Sequence, residues 1–149
     1  MKFEEQDTGW SLLLERGQVQ MIQIDFRLSL LVSDGPADKA WIHIERSCKL
    51  RRGSVDELLV PEKSVTLAPV LSLFGAEVCA VIISKVGGLE IKFGNDQCLV
   101  VGPDQTYEAW QLEGSCQECE FMLVCPPGGG VVAFENAGGP KSSVSLGLY

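Results

Sequence analysis

Apolar and polar residues alternate along two separate stretches of the chain, 19–44 and 77–101, and each stretch predicts three consecutive β-strands. The apolar residues of the middle strands are Leu28, Leu30 and Val32 in the first stretch and Leu89, Ile91 and Phe93 in the second. Strict alternation is typical of a half-buried strand with one solvated face. The two stretches match in strand order, strand length and turn position, although their identity is low. Duplication of one unit and convergence of two ordinary meanders both explain this match, and both interpretations stay open.

Between the meanders, the segment Thr66–Gly75 has the apolar spacing of one helical face, with i, i+3, i+4 and i+7 positions. The apolar residues of that face are Leu67, Val70, Leu71 and Phe74. Thr66 suits the N-cap, and Gly75 suits the left-handed residue that ends a helix. We therefore predict an α+β fold of antiparallel meanders with one packed helix at about 66–75, in which Leu71 and Phe74 are core residues.

The chain has 149 residues, of which 46% are hydrophobic, and this predicts one globular domain. We expect that domain at 1–135, followed by a flexible Gly- and Ser-rich tail at 136–149. No apolar run approaches the roughly 20 residues of a membrane-spanning helix, so we expect no membrane partner. The acidic, polar start Met1–Asp7 does not fit a secretory signal, which favours a cytoplasmic protein.

The formal net charge is −8, and no basic residue occurs between Lys92 and Lys141. The acidic residues of that interval are Asp96, Asp104, Glu108, Glu113, Glu118, Glu120 and Glu135. Such a region would repel phosphates, so we expect no nucleic-acid partner. The interval is either a solvated acidic rim that keeps the protein soluble or a docking face for a basic protein.

The segment Tyr107–Trp110 brings two large aromatic residues next to a carboxylate. Such aromatic residues are either core pillars or interface anchors. Under the second interpretation, the predicted partner-binding residues are Tyr107, Glu108, Trp110, Glu113, Glu118 and Glu120.

Cys116 and Cys119 have the C-x-x-C spacing, and Cys125 follows nearby. A structural zinc site needs four ligands, and the single histidine of the chain is His43. We expect the C-x-x-C motif in an acidic loop, 114–120, whose carboxylates disfavour a thiolate. The sequence therefore predicts no metal, no cofactor and no structural disulfide, with a metal or small-molecule site at Cys116–Cys125 as the alternative.

The chain contains no dinucleotide-binding glycine motif, no P-loop and no nucleophile elbow. His43 alternates with Ile42 and Ile44, so it should lie on the face opposite the core. We accordingly predict that the protein is not an enzyme.

The segment Phe121–Cys125 is apolar on both faces, and the helix covers only part of one face of the sheet. A twofold partner that presents the same patch would cover the second face, which predicts a homodimer. The alternative is that Trp10–Leu14 or the C-terminal tail covers it within one chain.

Tyr107–Gly114, then Leu123–Gly129 and a last short strand, resemble a small bacterial domain family of unknown function. Members combine this segment with a strand like Val19–Phe26 and a Leu-rich helix ending in Phe-Gly, as in Leu71–Gly75. The resemblance covers about residues 12–134, and its most specific part is Tyr107–Trp110. This sequence departs from the family pattern in the 114–120 segment, which contains the C-x-x-C motif, and beyond Phe134.

Small acidic bacterial domains of this kind look like the immunity proteins that neutralise toxins, which is an analogy. We therefore predict a non-catalytic protein-binding module that uses its acidic C-terminal face. The alternatives are a structural or homo-oligomeric domain and the binder of a small molecule or metal.

Overall fold

The computed structural model describes residues 1–117, 119–137 and 144–148, and the side chains of 1–117 and 119–134. It contains one antiparallel sheet of thirteen strands. The strands are β1 Lys2–Gln6, β2 Gly9–Ile24, β3 Leu28–Asp34, β4 Asp38–Ile44, β5 Cys48–Arg52, β6 Val55–Leu59, β7 Glu77–Ser84, β8 Leu89–Phe93, β9 Gln97–Val101, β10 Trp110–Cys116, β11 Cys119–Cys125, β12 Val132–Ala137 and β13 Val144–Leu148. The described helix is a 3-10 helix, Ser64–Leu73. The prediction of an α+β fold is therefore wrong, because the fold is nearly all-β.

Both predicted meanders are present, and they lie side by side at the centre of the sheet. The strand order is β13-β12-β11-β10-β4-β3-β2-β7-β8-β9-β5-β6, with β1 paired to β2 outside this path. The first meander thus forms β4-β3-β2 and the second forms β7-β8-β9. The antiparallel pairing of β2 with β7 joins the two meanders. Their turns contain residues with positive φ, Gly35 in the first meander and Asn95 in the second.

The hairpin that follows each meander pairs with the other meander. After β4 the chain crosses the molecule, so that β5 pairs with β9 and β6 forms the outer edge. After β9 the chain returns, so that β10 pairs with β4 and β11 pairs with β10. The two halves of the chain are therefore interlocked through exchanged hairpins.

The sheet is strongly coiled, and its inner face closes on one hydrophobic core. The Trp110 indole N–H, at the start of β10, donates to the Gly87 carbonyl in the β7–β8 turn over 2.8 Å. In the strand order, β7 is four steps from β10 and β8 is five steps from it. Register shifts in β2, at Val19/Met21 and at Leu13/Gly17, mark the bulges that bend this long central strand. One core cluster accordingly includes residues from both meanders and both exchanged hairpins.

The predicted helix exists, but its geometry differs from an α-helix and its buried face differs accordingly. A 3-10 helix has three residues per turn, so its buried stripe follows i, i+3 and i+6. Leu67, Val70 and Leu73 are buried in this pattern. Leu71 and Phe74 are 59% and 66% exposed, so the prediction that they are core residues is wrong.

The segment expected to be a loop, 114–120, is instead the tip of the β10–β11 hairpin. Cys116 and Cys119 are directly opposite residues there, and Gln117 adopts positive φ in the turn. The expected tail, 136–149, includes the end of β12 and the strand β13, which pairs with β12. Its residues 138–143 and 149 lie outside the described part. Within the described residues, no helix has the length and apolar character that crossing a membrane requires.

Candidate binding groove on the outer face of the sheet

A row of directly opposed residues crosses five neighbouring strands on the outer face of the sheet. The row is Leu31 on β3, Trp41 on β4, Glu113 on β10, Met122 on β11 and Phe134 on β12. The side chains point outward because the residues that alternate with them belong to the core. The five side chains line a solvent-facing groove of about 670 Å³. With strands about 4.8 Å apart, the row is about 19 Å long.

One wall of the groove is polar. In the adjacent row, Lys39 on β4 is opposite Ser115 on β10, and Ser115 is opposite Glu120 on β11. All three residues line the groove. The groove therefore has an apolar floor, one ammonium group on this wall, and two carboxylates, Glu113 in the floor and Glu120 in the wall.

On the other side of the row, the buried His43 connects Glu113 in the floor of the groove to Ser29 on β3. His43 Nδ1 lies 2.7 Å from Ser29 Oγ, and His43 Nε2 lies 3.2 Å from Glu113 Oε1. Because a carboxylate only accepts hydrogen bonds, Nε2 carries a hydrogen, and in the neutral ring Nδ1 accepts from the Ser29 hydroxyl. The Glu113 carboxylate is thereby held at a fixed position in the floor of the groove.

The same histidine supports the aromatic group of the groove. The Trp41 and His43 rings are stacked, with centroids 5.6 Å apart and planes inclined by 9°. Trp41 is half-buried, so one part of its indole packs on the protein and the rest faces the groove. Trp41 and Glu113 are neighbours across the β4–β10 pair and both contact His43, so the two groups are positioned together.

Ser29, His43 and Glu113 have the residue types of a serine hydrolase triad, but the hydroxyl is closed to a substrate. Ser29 is 0% exposed, beneath the histidine ring that it contacts. A nucleophile must reach the reacting carbon of its substrate, which this burial prevents. The geometry instead favours a positioning role, in which Ser29 and His43 orient the Glu113 carboxylate through their hydrogen bonds.

Outside the groove, where β4 ends and β10 begins, two further carboxylates lie near His43. Burial raises the pKa of Glu108, and the nearby Glu45 carboxylate raises it further, while Arg27 and His43 act in the opposite direction. Arg27 also lies 3.9 Å from Glu45. The face next to the groove therefore carries carboxylates that repel one another.

A second hollow of about 500 Å³ adjoins the groove at its β3 end. It shares Leu31 and Lys39 with the groove, and it also contacts Met21 and Phe74. Met21 and Phe74 are 46% and 66% exposed. The apolar surface thus continues from the groove toward the end of the 3-10 helix.

Residues 10–135 match a family model described as a family of unknown function (DUF6188). The chain belongs to this family. The matched segment includes all five residues of the row that lines the groove, from Leu31 to Phe134. No curated protein and no solved structure matches the chain. The prediction of a family of unknown function over about residues 12–134 is confirmed at that level, whereas the bacterial origin and the Tyr107–Trp110 motif stay predictions.

The structure brings two of the six predicted partner-binding residues, Glu113 and Glu120, into the groove. Tyr107 is 71% exposed outside it, and Glu108 is half-buried. Trp110 is 0% exposed on the inner face, where it is a core residue and not an interface anchor. Glu118 lies outside the described residues.

The cysteines proposed as an alternative metal site do not all lie together, since Cys116 ends β10 while Cys119 and Cys125 are at opposite ends of β11. Cys119 is at the start of β11, opposite Cys116, whereas Cys125 is at its end, opposite Trp110. Burial raises the pKa of the Cys125 thiol, which keeps it protonated at neutral pH. Among the described residues, no group of three or more His, Cys, Asp or Glu side chains is arranged to hold a metal ion.

Sequence reasoning missed most of the groove, namely Leu31, Lys39, Trp41, Met122 and Phe134. A signal for Trp41 was present, because strict alternation with Ile42 and Ile44 places this large aromatic side chain on the face away from the core. The pairing of β4 with β10 carried no comparable signal, since the two strands are separated by the whole second meander.

Proposed function

We propose that the protein is a non-catalytic protein-binding module, and that the groove on the outer face is its binding site. The observation that supports this most is the row of opposed side chains from Leu31 to Phe134. An apolar floor with a few placed polar groups is the usual composition of a binding site. The aromatic residue Trp41, next to the middle of the row, is of the type most often found among dominant interface residues.

An immunity protein is one form that such a module takes, and a toxin gene beside this gene would support that role. The prediction of a cytoplasmic protein that is not an enzyme is part of the same proposal.

Capture of partners from the native cell tests the proposal. A partner retained by the wild-type protein should be lost with Trp41→Ala, because that change removes the largest aromatic side chain that lines the groove. Leu58→Ala is the matched control, since Leu58 is 60% exposed on the edge strand β6. Equal retention by Trp41→Ala and wild type would contradict the proposal.

A homo-oligomeric domain is the second candidate, and the outer face of β11 favours it. Met122 and Val124 are only half-buried on this face. Within the described residues, the segment Trp10–Leu14 is part of the central strand β2 and the strand β13 extends the sheet, so neither covers that face. Light scattering at micromolar concentration distinguishes a monomer of 16.2 kDa from a dimer of twice that mass.

A further inference from the structure

We propose that the groove binds an extended segment of a basic partner protein and holds one arginine or lysine side chain between Trp41 and Glu113. This inference rests on the proposed function and assigns the chemistry of the bound segment. A floor about 19 Å long accommodates about six residues in extended conformation, at about 3.3 Å per residue. Glu113 is the middle residue of the row, so the cationic side chain would lie near the centre of that segment.

The charge of the face favours a cationic occupant. The strands β10, β11 and β12 lie between Lys92 and Lys141, where the sequence has no basic residue. Among the described residues, Glu113 has a hydrogen bond to His43 and no ion pair with a lysine or arginine. Lys39 supplies one ammonium group to the groove against the two carboxylates of Glu113 and Glu120. A partner's guanidinium or ammonium group would supply the remaining counter-charge.

The aromatic ring and the carboxylate are suited to bind one cation jointly. A cation over the face of an indole is attracted by the ring electrons, and tryptophan is the strongest such partner among the side chains. Trp41 and Glu113 are directly opposed across the β4–β10 pair, where side chains on one face lie about 5 Å apart. A single cationic group therefore reaches both.

The two groups are held in place before any ligand arrives. His43 stacks on Trp41 and bonds to Glu113, and Ser29 fixes the other ring nitrogen. A preorganised pair loses little conformational entropy on binding. In this proposal His43 and Ser29 are positioning residues.

A second copy of this chain fits the same groove less well. Two copies that met through this face would bring together two carboxylates from each copy, Glu113 and Glu120, and only one ammonium group from each, Lys39. Like charges placed opposite one another destabilise such a contact. The charge pattern thus favours a basic partner over self-association through the groove.

A pair of synthetic peptides tests the inference on the full chain. The probe is a blocked hexapeptide of alternating valine and threonine with one central arginine, and its comparison peptide carries citrulline, which has the same shape without the charge. Binding is followed by the Trp41 indole N–H resonance in isotope-labelled protein. The buried Trp10 and Trp110 provide internal reference signals, since they are 3% and 0% exposed.

We expect the arginine peptide to shift the Trp41 signal with a dissociation constant about tenfold lower than that of the citrulline peptide. In Glu113→Gln this ratio should fall to about one. Glu62→Gln, which removes one exposed carboxylate outside the groove, should leave the ratio unchanged. Thermal melts of each variant establish that it is folded.

Equal binding of both peptides to wild type would overturn the inference, as would an unchanged ratio in Glu113→Gln or no shift with either peptide. If both peptides bind equally and Trp41→Ala removes that binding, the groove is a protein-binding site without a cation preference, so the proposed function survives alone. A Trp41 signal that shifts with protein concentration in the absence of peptide would show that a second copy occupies the groove.

Discussion

Glu108 is a half-buried carboxylate that the fold holds beside another carboxylate. Burial raises its pKa above the ordinary value of 4.5, and Glu45 adds to the effect. A raised pKa means that the folded protein binds this proton more tightly than the unfolded chain does. Ionisation of Glu108 therefore destabilises the fold as pH rises through and above that ordinary value.

Replacing Glu108 by glutamine should consequently stabilise the protein at neutral pH. The gain should be below about 1 kcal/mol, because the residue is partly solvated. The gain should disappear below pH 4.5, where the wild-type carboxyl is protonated in both states. Thermal melts across this pH range measure the effect, with Glu62→Gln as the exposed control. A variant less stable than wild type at pH 7 would show that the carboxylate makes a favourable contact.

Trp110 illustrates how a residue suspected of binding can instead hold the fold together. Its buried indole N–H is bonded to the Gly87 carbonyl, which joins β10 to the turn between β7 and β8. Trp110→Phe should leave that carbonyl without this donor and lower the free energy of unfolding by about 1–3 kcal/mol. Trp41→Phe, at a half-buried outer position, should have a smaller effect. Denaturant unfolding of the two variants compares them, and the reverse order would mean that Trp41 is the structural residue.

At the scale of elements, the local pattern predicted the strands well and the helix incompletely. The two meanders could be predicted because the alternation of apolar and polar residues between glycine-containing turns is a local property of the sequence. The segment 66–75 contains apolar residues at both 3-10 and α-helical spacings, since Leu67 and Val70 satisfy both. Packing decided between them, and it buried Leu73 in place of Leu71 and Phe74. No local pattern distinguishes these two outcomes.

The buried stripe of the 3-10 helix gives a direct comparison between adjacent residues. Leu73→Ala should destabilise the protein by about 2–5 kcal/mol, because it leaves a cavity in the core. Phe74→Ala should change stability by no more than about 0.5 kcal/mol, because its side chain is 66% exposed. Thermal melts test both variants under one condition. A larger loss for Phe74→Ala would indicate the α-helical face that the sequence suggested.

The groove shows the limit of sequence reasoning more clearly than the strands do. Their negative charge alone made Glu113 and Glu120 predicted partner-binding residues. That charge does not indicate which residues of other strands lie beside them. Trp41 became their neighbour only through the β4–β10 pairing. Such pairing depends on long-range packing of the whole sheet, which the order of apolar residues in each strand leaves open.

At the scale of the whole molecule, exchange of the two hairpins makes each half of the chain depend on the other. The hairpin β5–β6 is anchored on β9 of the second half, and β10–β11 is anchored on β4 of the first half. The β2–β7 pair is a third strand pair that joins the two halves. The two halves also share one core cluster, so neither has a complete core of its own.

Cutting the chain in the exposed segment between β6 and the 3-10 helix should therefore yield two fragments that fold only together. We expect 1–62 and 63–149 to be unfolded when expressed separately. Co-expressed, they should form a one-to-one complex, because the cut at Glu62 and Lys63 breaks no strand and both residues are exposed. Circular dichroism and the mass of the purified complex measure this. A cooperative melt of either fragment alone would show that the meanders are independent folding units, and that the exchanged hairpins join two domains without completing either one.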